Sequence, residues 1–287
     1  MGMETPARGR PGVRRLRRVP LLVVSLFVTW VASPGAAEWD DLHTDRDAFT
    51  PATVCIDPGE VLTEGSYVFI DNITNLPTNN YPELIWRIGV ADWFEWRLGA
   101  NYSVGTQGNI VTSVEVGETP LNGGTLYESG ILYGFKAAVS EQRGFLPESC
   151  FIMEGVTPTK SELLGTVPVA TYVAGWELPV RLPTHGARAC RLDSAIRYSY
   201  AESRFNWFSR WAPSVVLRMP VTERFEVHAE YFGTFPQGLP ININRPFFSP
   251  GTHYMITKNL EVGLRVGWGL SEFAAPFFSD AGIGWRW

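Results

Sequence analysis

The chain has 287 residues, with 24 Lys and Arg, 29 Asp and Glu, 13% aromatic residues and only 18% charged residues. Its mean hydropathy is −0.03, so it is rich in rings and poor in charge without being hydrophobic overall. That excludes a bundle of membrane helices, which needs several apolar runs of about 20 residues, but not a membrane barrel, whose strands hide their apolarity by alternation.

The one apolar run lies at the N-terminus. Arg8, Arg10, Arg14, Arg15, Arg17 and Arg18 precede VPLLVVSLFVTWVA, Val19 to Ala32, and small residues follow at Gly35 and Ala37. A basic segment, a short apolar core and small residues read as a signal peptide over 1–37, cut before Glu38. The run is shorter than a membrane anchor requires. Paired arginines also suit twin-arginine export, but that route carries folded proteins, and a barrel reaches its membrane unfolded. The general secretory route fits better. With six Arg and one Glu removed, 18 basic and 28 acidic residues remain, a net charge of about −10. Such a balance argues against nucleic acid as a partner. No Cys stands at the cut site, so no lipid anchor is indicated.

Residues 38–64 read as a periplasmic N-terminal segment. From there on the chain divides into about twelve strands, near 65–72, 82–90, 92–102, 127–139, 147–158, 162–174, 190–200, 211–220, 223–235, 247–256, 259–271 and 276–287. Three segments share one pattern: VADWFEWRLGANY from Val90, VTERFEVHAEYFG from Val221 and ITKNLEVGLRVGW from Ile256. Each is a tight turn opening a strand, and an extended segment with a proline at its far end lies upstream, as in PELIWRIG after Pro82. The repeated unit is a β-hairpin.

The returning strands alternate with period two. Leu260, Val262, Leu264, Val266, Trp268 and Leu270 share one face, opposite Glu261, Gly263, Arg265, Gly267 and Gly269. From Leu260 to Leu270 that face runs about 33 Å at about 3.3 Å per residue, a length suited to crossing a bilayer rather than to a sandwich sheet. Rings gather near strand ends, at Trp93, Trp96, Tyr102 and Trp268, where girdles meet lipid headgroups. The chain ends on an alternating strand carrying Trp285 and Trp287, read as an insertion signal for the outer-membrane barrel assembly machinery. The architecture expected is all-β: a single antiparallel transmembrane up-and-down barrel over 65–287, in contact with outer-membrane lipids of a bacterial cell. An even strand count places both termini and the short turns in the periplasm, and the long links 103–126, 200–210 and 236–246 outside. The link from Trp176 to Ala189 is long for a periplasmic turn, and it leaves the register around 176–190 open.

If apolar residues face lipid, Glu95, Arg97, Arg191, Asp193, Arg197, Arg218, Glu226, His228, Glu230, Glu261 and Arg265 face the lumen. Unpaired ions there would cost several kcal/mol each, so they pair across strands or line a hydrated passage. About twelve strands permits a narrow channel or a plugged barrel. Cys55, Cys150 and Cys190 are an odd number for an oxidising compartment. Cys150 and Cys190 fall on strands separated by a third, about 10 Å apart, too far for a bridge. No zinc-ligand spacing occurs, and no metal or cofactor is implied.

The segments PELIWRIGVADWFEWRLGANY, GILYGFKAAVSEQRGFLPE, RLDSAIRY, WAPSVVLRMPVTERFEVHAEYFG and SPGTHYMITKNLEVGLRVGWGL resemble the outer-membrane proteins of the phenol-degradation meta-pathway family, generally labelled transporters. The resemblance covers residues 65–287 and implies a barrel that passes or binds small, aromatic or hydrophobic molecules; it transfers no catalytic residue. LPVRLPTHGARACR, Leu178 to Arg191, departs from the pattern.

An enzyme is the competing class. Of the four histidines, His43 is in the N-terminal segment, His185 in the irregular link, His228 inward among glutamates, and His253 four residues after Ser249. Ser249 and His253 share a strand face but lie about 13 Å apart along it, so they form no catalytic pair. No GxSxG, HExxH or phosphate loop is present. The reading is therefore a non-enzymatic barrel passing or binding small solutes through a charged lumen. A plugged structural barrel is the alternative, ahead of a secreted β-sandwich binding module or a barrel esterase.

Overall fold

The computed structural model describes residues 41–46, 48–72, 76–105, 109–112, 126–160, 165–182, 188–202 and 206–287; the expected signal peptide lies outside them. Twelve strands follow in chain order: β1 Val61–Asp71, β2 Thr78–Ala91, β3 Phe94–Gly105, β4 Leu126–Ser140, β5 Glu148–Lys160, β6 Val167–Arg181, β7 Ala189–Glu202, β8 Trp207–Pro220, β9 Phe225–Gln237, β10 Arg245–Thr257, β11 Leu260–Gly269 and β12 Phe277–Arg286. Each pairs antiparallel with its sequence neighbours, and β1 pairs with β12 to close the barrel. Closure leaves no unpaired edge.

Closure runs from Leu62 opposite Arg286 to Asp71 opposite Phe277, with Tyr67 opposite Ala281. Val61 and Trp287 exchange backbone hydrogen bonds of 3.2 and 3.1 Å, so the first and last strands meet at one end of the barrel, called here the terminal end. The connections β2–β3, β8–β9 and β10–β11 turn there within a few residues, as the repeated hairpin predicts.

Alternation along β3 is the rule elsewhere: Glu95 and Arg97 are buried, while Trp96 and Leu98 are exposed. The exterior thus carries aliphatic residues such as Leu98, Ile131, Ile196, Leu264 and Ile283. Rings flank them. Phe94, Trp96 and Phe135 pack together near the terminal end, where Trp285 stacks on Trp287, while Tyr67, Tyr81 and Tyr102 cluster towards the other. An aliphatic band between two aromatic girdles is the outer surface a bilayer requires.

Two expectations are corrected. β6 was expected over 162–174 and runs over 167–181, so much of the link from Trp176 to Ala189 is strand. Its pairing with β7 skips between Glu177 and Arg181, where Pro179 has no N–H to give to a ladder. That missing donor is why the sequence there looks irregular. The second concerns residues 38–64. Val61 to Glu64 belong to β1, and the described residues 41–56 lie inside the barrel rather than beyond its end.

Gly89 shows how the entry is built. Gly59 donates to the Gly89 carbonyl and Gly89 to the Glu60 carbonyl, each at 3.0 Å, so the incoming chain crosses directly over β2. A Cβ on Gly89 would lie 1.9 Å from the Asp57 carbonyl oxygen; no larger residue fits.

Candidate functional site

The inserted segment is held chiefly through its own backbone. Glu64 on β1 accepts the N–H groups of Asp45 and Arg46 at 2.7 and 2.9 Å. Arg87 on β2 donates to the carbonyls of His43 and Val54 at 2.5 and 2.8 Å, Lys136 on β4 donates to that of Ala52 at 3.0 Å, and Glu95 accepts from Ile56 at 2.8 Å. Deeper in, Glu230 on β9 accepts the N–H groups of Phe49 and Thr50 at 2.9 and 2.7 Å and the Thr50 hydroxyl at 2.7 Å. A segment without secondary structure cannot satisfy its own backbone groups, and here charged lumen side chains do so.

Asp45 is the segment's charged anchor. Its carboxylate lies 2.5 Å from Arg97, 2.9 Å from Lys136 and 3.5 Å from Arg87, and it also accepts the Ala52 N–H at 2.8 Å. Burial by itself would raise its pKa, but Arg87, Lys136 and Arg97 outweigh that and hold the carboxyl well below the usual range. Arg97 also pairs with Glu154 at 2.7 Å, and Arg87 with Glu95 at 2.7 Å. Removing Asp45 would leave three buried cations short of a counter-ion.

A second cluster lies on the other side of the segment. Arg191 meets Glu148 and Asp193, the latter at 2.7 Å, while the Thr53 hydroxyl donates to Glu148 at 2.6 Å. Arg218 sits 3.4 Å from Asp193 and 3.9 Å from Glu226. Arg188 reaches Asp41 at 2.8 Å and Glu226 at 3.7 Å. Thr44 donates to Glu261 at 2.9 Å; Glu261 in turn lies 3.1 Å from His253, whose other ring nitrogen meets His228 at 2.9 Å.

At its tip the segment turns apolar. The Phe49 ring stacks on Phe232 with centroids 4.4 Å apart, and the Arg197 guanidinium lies 4.5 Å over the same ring. Phe49 joins Val68, Val111, Phe232, Phe247 and Phe278 in one buried cluster. Val111 belongs to Asn109–Thr112, a described piece of the long β3–β4 connection that enters from the end opposite the termini. Arg265 donates to the Val111 carbonyl at 2.8 Å and lies 3.5 Å from Glu230 and 3.0 Å from Asp280. The lumen is therefore occupied from both ends, and the two insertions meet at Phe49 and Val111.

Every predicted lumen residue is located by this arrangement. Glu95, Arg97, Glu230 and Glu261 contact the inserted segment directly, Arg197 covers its Phe49, and Arg265 bridges its tip to the opposite insertion. Arg191 donates to Thr53 at 2.5 Å and Arg218 to the Thr50 carbonyl at 3.4 Å, whereas Asp193, Glu226 and His228 act through those neighbours. The sequence missed Glu64, Glu83, Arg87, Lys136, Glu148, Glu154 and Asp280. The same alternation marks several of them, such as Glu83 and Arg87 flanking Ile85 on the inward face of β2. Asp45 and Arg46 carry no periodic signal. Ser249 donates to the Val266 carbonyl at 2.8 Å rather than to His253. Cys55, Cys150 and Cys190 are free and buried.

Fold and lumen together define a plugged antiparallel β-barrel. No family model matches the chain, and no curated protein does, so the resemblance to the phenol-degradation family remains a resemblance. Among solved structures the chain is similar to an outer membrane channel from Pseudomonas putida F1, at 9% identity and a TM-score of 0.57 over 82% of this chain and 98% of that one. The KdgM porin in complex with disordered oligogalacturonate matches at 10% identity and a TM-score of 0.43, over 78% and 98%. The beta domain of the Bordetella autotransporter Brka matches at 12% and 0.46, over 79% and 98%. At these identities the likeness is one of fold.

Proposed function

We propose that this chain is an outer-membrane barrel passing small solutes, closed at rest by its own residues 41–56. In this reading residues 1–37 direct export and are removed, the terminal end faces the periplasm, and the barrel assembly machinery inserts the chain through its C-terminal strand with Trp285 and Trp287. The observation that carries the reading is the polar seat of the plug. Its backbone is held by Glu64, Arg87, Glu95, Lys136 and Glu230, charged groups that water can hydrate once the segment leaves. Each such bond contributes about 1.5–3 kcal/mol net when made to a charged group, and those charges would then line a wet passage. The girdled exterior and the likeness to an outer membrane channel support the location. The resemblance to the phenol-degradation family supports aromatic or hydrophobic solutes as cargo.

Planar-bilayer recording of the full chain and of a variant lacking residues 41–56 tests this. The full chain conducts rarely, and the deletion raises mean conductance at least tenfold. The second reading, a structural barrel without transport, draws on the occlusion from both ends; a correctly folded deletion variant that carries no current would establish it and refute ours.

A further inference from the structure

Phe49 is the only phenylalanine, tyrosine or tryptophan in residues 41–56, and the lumen wall is shaped around it. Its ring is within 9° of parallel to that of Phe232, with centroids 4.4 Å apart, while the Arg197 guanidinium sits 4.5 Å over the same ring. One face has no room for both at those distances, so Phe49 is sandwiched between them. Phe232 stacks in turn on Phe247 at 5.1 Å, and Phe278 meets both edge-on. Arg197, Phe232, Phe247 and Phe278 all stand on strands of the barrel, so the slot they form does not depend on the inserted segment.

The same residue also makes a polar contact. Glu230, two positions before Phe232 on the inward face of β9, accepts the Phe49 N–H at 2.9 Å, together with the N–H and hydroxyl of Thr50 at 2.7 Å each. In Phe49 the ring and this N–H are joined by two carbons, Cβ and Cα. When the segment leaves, a flat slot is vacated and a carboxylate beside it loses three donors, which a replacement must supply. Arg265 lies 3.5 Å from Glu230 and Arg197 covers the slot, so an ammonium would meet like charge there, as a carboxylate would at Glu230. A neutral donor suits the place.

We infer that the slot is a binding site for a planar aromatic ring carrying a neutral hydrogen-bond donor two carbons away, and that Phe49 with its own N–H occupies it in the resting barrel. The inference rests on the proposed release of residues 41–56 and adds what drives it. Uncovering the phenylalanines to water opposes release, but a ring that takes the place of Phe49 keeps them covered. A solute that binds only the vacated slot multiplies the ratio of open to seated barrels by one plus its concentration over its dissociation constant. Arrival of the solute and release of the plug are then one equilibrium.

The test follows protease cleavage within residues 41–56 of the full chain in detergent micelles, where both ends of the barrel are accessible, as 2-phenylethanol is added. Cleavage should rise at least fivefold. At equal concentration 2-cyclohexylethanol, which has the donor without the aromatic ring, ethylbenzene, which has the ring without the donor, and phenylacetate, which replaces the donor by a carboxylate, should each raise it less than twofold. No rise with 2-phenylethanol, or an equal rise with 2-cyclohexylethanol, overturns the slot. An equal rise with ethylbenzene or phenylacetate overturns the neutral donor. Phe232→Leu removes a wall of the slot, and Arg197→Lys keeps the charge without the planar guanidinium; each should lose at least half of the response, and an undiminished response in either overturns the slot. Should neither variant show folded migration on a gel, the four solutes on the parent chain decide alone. If the deletion of 41–56 conducts while 2-phenylethanol leaves cleavage unchanged, the slot fails and the channel stands; cleavage that rises in a barrel whose deletion carries no current does the reverse.

Discussion

In the half of the lumen nearest Val61 and Trp287, the inserted residues lie among Glu64, Arg87, Glu95, Arg97 and Lys136, whereas further in Phe49 meets Val111, Phe232, Phe247 and Phe278. One half holds the plug by hydrogen bonds and ion pairs alone, the other by ring packing beside the hydrogen bonds that Glu230 makes to Phe49 and Thr50. The two chemistries answer differently to water. Charged groups released from the plug can be hydrated, so the first half can change occupant without collapsing. Exposing a cluster of phenylalanines to water is unfavourable in proportion to the area uncovered, so the second half resists opening. Anchoring and sealing are separate jobs here, carried by different residues of one short segment.

Breaking the charged half should have the largest effect. Asp45→Ala strands Arg97, Lys136 and Arg87, and losing one partner of a buried ion cluster costs about 3–5 kcal/mol. The seating equilibrium of the plug should shift more than a hundredfold, read as open probability in planar bilayers or as protease cleavage within 41–56. If Asp45→Ala remains as closed as the parent, the ion cluster is not what anchors the segment.

Phe247→Ala probes the other half. Truncating a buried Phe that stacks 5.1 Å from Phe232 should cost about 3 kcal/mol, visible as a lower thermal midpoint in detergent with little gain in current. A large current from this variant would make the rings the gate.

Thr50→Val links the two halves, because the Thr50 hydroxyl bonds both Glu230 and Ser214 at 2.7 and 2.8 Å. It should weaken seating by about 2 kcal/mol, a roughly thirtyfold rise in open probability. Asp45→Ala and Thr50→Val combined should add, since their partners differ; strong non-additivity would mean the anchor and the tip release as one unit.

The smallest effect is with pH. Burial keeps the His43 pKa below its ordinary 6.5, with the Asp41 carboxylate only partly offsetting it. The released segment would bind a proton that the seated one refuses, so seating is fully favoured above about 6.5 and weakens as pH falls below it. His43→Gln should flatten the change in open probability between pH 8 and 5. Asp45 does not contribute in that window, because its carboxyl stays ionised far into acid.

Much of the barrel was legible in the chain because a strand in a bilayer needs strict alternation. Phe94 to Tyr102 and Leu260 to Leu270 show it directly, and the hairpin repeats at Val90, Val221 and Ile256 set the strand count. Legibility failed where backbone chemistry interrupted the pattern, as at Pro179, and where no periodicity exists. Residues 41–56 have no alternation, so nothing in their order distinguishes a free tail from a plug.

Period-two patterning alone carried the number of strands and the inward row of charges, since it fixes which face each side chain takes; the closing register, with Tyr67 opposite Ala281, came from the structure. Only the tertiary structure decided what those charges are for. Glu64, Arg87, Lys136 and Glu230 could have lined open water or paired with one another, and the choice depends on whether a neighbouring backbone offers unsatisfied N–H and C=O groups. That partner is 18 residues away for Glu64 and 180 for Glu230, a distance that a local pattern cannot span and a closed barrel can.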